Sequence, residues 1–188
     1  TLLPKSEACE LRLFADIVEK GFVYRGKKPV YWSIPCKTAL AEAEVEYADH
    51  VSQSIFVKFP VKGRRNVFVV IWTTTPWTLP ANLAVAYNPK MEYYEILVGD
   101  ETYLIAVSLL NQVVEKCGWN NYQIIRTVHG ELLGQLICEH PFCNRESKLY
   151  PGDFVESTTG SGFVHIAPGH GMADYLLGLQ NGLKVYSP

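Results

Sequence analysis

From about residue 52 onward the chain is written in short apolar, β-branched and aromatic runs separated by turn residues, and this pattern restricts the fold more than any other feature. Residues 55–59 alternate in polarity, and residues 67–72 are β-branched and aromatic. Residues 93–98 and 102–107 flank Gly99-Asp100-Glu101, a turn suited to a hairpin. Residues 122–128, 134–138 and 162–166 read as further strands. Two helices are expected among them, one over 108–116 stopped by Gly118 and a closing one over 174–180. The expected fold class is α+β, a twisted, β-barrel-like core with peripheral helices.

The segment before residue 52 has a different texture. Ser6 is placed to cap a helix that runs to Lys20 and stops at Gly21, with Leu11, Phe14, Ile17 and Val18 on one face. Pro29 and Pro35 punctuate an extended stretch over 22–35. Alanine and glutamate over 37–44 predict a short helix. Residues 1–50 therefore read as an arm leading into a core over 51–188.

Composition narrows the function classes. Hydrophobic residues at 48% can form a core, and charged residues at 19% are too few for a disordered chain. A net charge of -2 argues against a stand-alone nucleic-acid binder, so any contact with RNA is expected at a short end. Lys58, Lys62, Arg64 and Arg65 are the basic residues that could touch such a partner, or simply a solvated face. The five cysteines are odd in number and lack a C-x-x-C pair. Cys138 and Cys143, with His140 between them, offer half a zinc site and no second half, so no metal is expected. Reduced thiols in a cytoplasmic protein fit this usage. No apolar run approaches the ~18 residues of a membrane span. The Thr1-Leu2-Leu3-Pro4 start is no signal peptide and lacks a start methionine, as expected of a fragment.

Two segments carry chemistry. The first reads WTTTPWTLPAN over 72–82. Pro76 cannot join a ladder, so the strand ends there and Thr73 and Thr75 should point the same way. Their hydroxyls, with that of Thr74, suit an ester, a ribose or a held water. A plain threonine-rich strand end would look the same. The second reads TGSGFVHIAPGHGMADY over 159–175. Its glycines permit close approach to the backbone. His165 lies within the strand and Asp174 at the start of a helix. An ordinary core histidine and a helix cap are the alternatives. Together the segments offer hydroxyls, an imidazole and a carboxylate. No G-x-S-x-G elbow and no phosphate-binding loop accompanies them.

These two segments resemble the editing motifs of isoleucyl-tRNA synthetases. Ala39–Tyr47, ALAEAEVEY, and the preceding KPVYW over 28–32 resemble the lead into that inserted domain. The valyl and leucyl relatives typically carry arginine where this chain has Thr75. The resemblance implies an editing β-barrel with helices, inserted into a class I synthetase. It implies hydrolysis of the ester that joins valine to the 3′ end of isoleucine tRNA. The partners it implies are that tRNA end and the rest of the synthetase chain, with no membrane. No cofactor is implied in this segment; ATP and zinc are matters for the full-length enzyme alone. By the same resemblance Asp174 binds the substrate ammonium and His165 borders the amino-acid side chain. Thr73, Thr74 and Thr75 hold the terminal adenosine and the water, Trp77 walls the pocket, and Asn82 occupies a position linked to editing. The alternatives are a related hydrolase of valyl or leucyl type, a non-catalytic binder of the tRNA 3′ end, and an unrelated small-molecule hydrolase.

Overall fold

The structure, a computed structural model, describes residues 2–188. It opens with helix α1, Pro4–Glu19. Leu3 rather than Ser6 stands at its N-cap, because Pro4 is preset for the first helical turn and draws the start forward. Strands β1, Tyr31–Ser33, and β2, Thr38–Leu40, then form a small antiparallel hairpin. This replaces most of the helix expected over 37–44, and only Glu42–Glu44 makes a 3-10 turn. Pairing with the preceding strand overrides the alanine and glutamate propensities, which are weak priors. Among the described residues none before Phe59 is buried.

Nine strands follow. They are β3 Ile55–Pro60, β4 Val67–Thr73, β5 Ala84–Tyr87, β6 Glu92–Val98, β7 Glu101–Ala106, β8 Gln123–His129, β9 Ile137–Glu139, β10 Glu146–Pro151 and β11 Phe163–Ile166. Helix α2, Leu110–Cys117, ends on Gly118, whose φ of 67° is the left-handed cap that glycine adopts freely. Helix α3, Met172–Gln180, closes the chain.

One sheet has the order β3-β4-β7-β6-β8, the other β11-β5-β10-β9. Both are mixed: β4 runs parallel to β7, and β5 parallel to β10. The sheets meet at a bridge between Val61 and Cys138. Among the described residues no pairing closes either sheet on itself, so the α+β reading holds as two open sheets around a common core rather than as a closed barrel. The strand expected over 134–138 begins later, because Gly130–Gln135 winds into a 3-10 turn.

β5 explains how the site is positioned. All four of its residues are buried, which requires cover on both faces. Val85 and Tyr87 enter the main core, together with Phe59, Val69, Ile96, Leu149 and Phe163. Ala84 and Ala86 face the other way and pack with Ile166 of β11 and Leu177 of α3. This second, small cluster seats α3 against the sheet. The register of β11 on β5 sets His165 opposite Val85.

Candidate active site

The site lies where β4 ends, β11 ends and α3 begins. Trp72, Thr73, Thr74, Thr75, Thr78, Val164, His165, His170, Gly171 and Asp174 line a cleft of about 280 Å³. That is near the lower bound of the roughly 300–1,000 Å³ usual for ligand pockets.

Its first wall is made by the threonine segment. β4 stops at Thr73, and Pro76–Ala81 turns as a 3-10 helix. Thr73 is buried, and its Oγ1 accepts a hydrogen bond from the Thr75 N–H at 3.1 Å. The two hydroxyl oxygens stand 3.4 Å apart, so Thr73 and Thr75 do point the same way. Thr78 ties the turn together. Its backbone N–H and its hydroxyl both donate to the Thr75 carbonyl, at 3.0 and 2.8 Å.

The second wall is β11 with the first turn of α3. His165 is 6% exposed. Its Nε2 lies 3.0 Å from Thr78 Oγ1. With the Thr78 proton given to the Thr75 carbonyl, Nε2–H is the donor to that oxygen. Nδ1 then keeps its lone pair, and no protein group satisfies it. Burial, followed by the charges of His140 and His170, lowers the imidazole pKa to about 4. His165 is therefore neutral near pH 7 and a poor proton acceptor from water.

Asp174 lies in the first turn of α3 and does not act as its cap; Gly171 occupies that position. Asp174 Oδ2 accepts a hydrogen bond from the Ala167 N–H at 2.8 Å. Burial raises its carboxyl pKa, while the N–H groups of Ala167 and of Asp174 itself, and the His170 charge, work against that rise. Among the described residues no lysine or arginine forms an ion pair with it. A Cβ at position 171 would lie 3.0 Å from Asp174 Oδ1, so glycine there leaves the carboxylate open on that side.

The structure thus gathers Thr73, Thr74, Thr75, His165 and Asp174 into one cleft. Trp77 and Asn82 lie outside the lining. Trp77 is 69% exposed on the outer side of the turn. Asn82 is fully buried below it, where its Nδ2 donates to the Ala84 carbonyl at 2.7 Å and its Oδ1 accepts from the Ser147 hydroxyl. Thr78 is the residue that sequence reading missed. Its signal was the i, i+3 spacing from Thr75 across Pro76, which a 3-10 turn brings into register. His170 also stands on the lining. No group of three or more His, Cys, Asp or Glu suited to a metal occurs among the described residues. Among them too, no helix is long and apolar enough to cross a membrane.

Known proteins resemble this chain in sequence and in fold. Residues 1–177 match the family model of class I tRNA synthetases (I, L, M and V). The isoleucine–tRNA ligase of Petrotoga mobilis is 50% identical over 188 residues, which is all of this chain and 20% of that protein. That of Syntrophomonas wolfei is 50% identical over 193 residues, again all of this chain and 21% of the relative. The chain thus spans about a fifth of the length of these relatives. Among solved structures, GlLeuRS-CP1 superposes with a TM-score of 0.59 at 16% identity, covering 72% of this chain and 69% of that one. The Plasmodium knowlesi cytosolic leucyl-tRNA synthetase editing domain superposes with a TM-score of 0.56 at 13% identity, covering 65% and 59%. At that identity the likeness speaks for the fold.

Proposed function

Because the chain belongs to the class I tRNA synthetases of the isoleucine, leucine, methionine and valine group, we propose that it is the editing module of a cytoplasmic isoleucine enzyme, hydrolysing the ester between valine and the 3′ adenosine of isoleucine tRNA. In this reading residues 1–50 are the arm that joins the module to the synthetase body. One observation carries the reading: a partly buried carboxylate, without a cationic partner, opens into a small cleft lined by hydroxyls.

An α-ammonium is the natural complement of such a carboxylate. It would hydrogen-bond Asp174 with charge assistance and offset the burial that raises the carboxyl pKa. The ester then lies toward the threonine wall, where the hydroxyls of Thr73, Thr74 and Thr75 hold the terminal ribose and the attacking water. The chain's part is to orient that water. His165, neutral and tied to Thr78, borders the amino-acid side chain and sets the size limit. A hydrophobic pocket gains only ~1–3 kcal/mol from one methylene, so a second, smaller site is what separates valine from isoleucine; the isoleucine enzyme is the standard worked example of that magnitude. Asn82 acts at one remove, by fixing the end of the threonine turn from below.

The test is deacylation of valine-charged isoleucine tRNA by this chain, with isoleucine-charged tRNA as control. Release of valine with isoleucine spared supports the reading. Release of threonine from valine tRNA instead would point to a valyl-type hydrolase, and binding without release to a 3′-end binder.

A further inference from the structure

The turn that carries the threonine wall has fewer backbone donors than most. Two of its six residues, Pro76 and Pro80, have no N–H to give. Beyond the i, i+3 bonds of the 3-10 turn itself, the Thr78 N–H and hydroxyl donate to the Thr75 carbonyl and the Asn82 N–H to the Leu79 carbonyl. Further hydrogen bonds reach it from the hairpin of β9 and β10. His140 Nε2 lies 2.8 Å from the Leu79 carbonyl. Arg145 donates to the Pro80 carbonyl, and the Ser147 hydroxyl donates to Asn82 Oδ1. Leu79, Pro80 and the capping Asn82 are thus gripped by His140 and Arg145 of the loop and by Ser147 at the start of β10, none of which lines the cleft.

His140 is built for that task. It is buried, and its Nδ1 accepts the N–H groups of Phe142 and Cys143 at 3.3 and 3.0 Å. Accepting two amides fixes Nδ1 as the bare nitrogen, so Nε2 carries the proton and donates to Leu79. Ring packing locks its plane, edge-on to Phe142 at 4.5 Å between centroids and to Phe59 at 6.0 Å. Leu79 directly follows Thr78, whose hydroxyl is, among the described residues, the only hydrogen-bond partner of the His165 ring. A displacement of the Leu79 carbonyl therefore moves the group that orients His165.

We propose that the β9–β10 loop is a brace, and that His140, seconded by Arg145, is a positioning residue that sets the placement of Thr78 and through it the orientation of the His165 ring. The inference rests on the editing function proposed above for its consequence in rate, but not for its geometry.

Three variants test it: His140→Phe, which keeps the ring and removes the donor; His140→Gln, which keeps one donor and one acceptor; and Arg145→Met, on the outer side of the loop. The first readout is the imidazole nitrogen spectrum of His165 in the folded chain, which needs no substrate. The brace predicts a shifted His165 signal in His140→Phe and Arg145→Met, restored toward the parent in His140→Gln. An unmoved His165 signal in folded Arg145→Met overturns the proposal, whether or not His140→Phe folds. The second readout is deacylation of valine-charged isoleucine tRNA. Here kcat should fall about tenfold in His140→Phe, with KM within about twofold, the pattern of a misplaced rather than missing group. A shifted His165 with unchanged kcat and unchanged valine-over-isoleucine selectivity also overturns it. If the parent chain does not deacylate, the proposed function fails, and the His165 spectrum alone decides the brace.

Discussion

Two acidic residues, Glu95 on β6 and Asp174 on α3, show how differently one fold treats a carboxylate drawn out of solvent. Glu95 on β6 is 3% exposed and is gripped from two sides. Arg64 meets it at 2.8 and 3.2 Å, and Arg126 of β8 at 3.0 and 2.8 Å. Burial pushes its pKa up, but the two guanidinium groups together outweigh that and hold it near 2. Asp174 has the N–H groups of Ala167 and of its own backbone and, among the described residues, no lysine or arginine partner, and burial dominates, so its pKa is raised. Glu95 has every lone pair spoken for and nowhere to put a ligand. Asp174 has capacity left over, and that capacity opens into a cleft. The difference separates a carboxylate that holds the sheet together from one that waits for a charge supplied by something else.

The contrast can be broken or sharpened by experiment. The largest effect is expected for Asp174→Asn, which removes the charge and keeps the shape. Deacylation should fall on the order of 10³-fold, about 4 kcal/mol of lost transition-state binding, with folding stability unchanged or slightly improved. Retained turnover would end the ammonium-binding role, and a marked loss of stability would erase the contrast with Glu95.

Next comes acid titration of stability. His165 binds its proton at about pH 4 when folded and near 6.5 when unfolded. The unfolded chain therefore holds more protons between those values, and stability must drop as pH falls through that window, on the order of 3 kcal/mol. Glu95, with its lowered pKa, contributes stability that is present above about 4.5 and is lost as pH falls towards 2. Urea melts of the parent and of His165→Phe across pH 7 to 4 separate the two. Identical pH slopes would show that His165 is not buried as described.

Glu95→Gln should lower stability by about 2–3 kcal/mol, toward the low side for a broken buried pair because both arginines reach solvent. Its turnover per folded molecule should stay within about twofold of the parent, measured by deacylation at a temperature below the melting transition. A large loss of turnover would mean that the two carboxylates are not independent. The smallest effect is expected for Lys90→Ala, whose partner Asp153 is as exposed as the lysine itself. Melting should show a change below about 0.5 kcal/mol, the baseline against which the other two carboxylates are judged.

The sequence made the two chemical segments legible because each is short and locally ordered. Thr73 and Thr75 follow strand alternation up to a proline, and Asp174 follows a glycine-rich stretch into a helix. What stayed hidden depends on partners far away in the chain. β5 is brief, and its parallel pairing with β10, Ala84 against Lys148, leaves no local pattern. Asn82 reads as a polar turn residue until Ser147 is seen beneath it. Trp77 is aromatic and next to the threonines, yet the 3-10 turn swings it outward. Ser6 and the stretch over 37–44 failed for the reason that propensities often fail: a neighbouring proline and a neighbouring strand were stronger than the residue's own preference.

The hydrogen bond between Thr78 and His165 also bears on when the cleft can exist. It joins residues 87 apart in the chain. Closing so long a loop is entropically costly until the intervening strands have paired, so the contact belongs among the late events of folding. A ribosome delivers the threonine turn well before the histidine that it must meet. A nascent chain halted between them would hold one wall of the cleft and no opposing one, so the site is expected to switch on as a unit when the last helix docks.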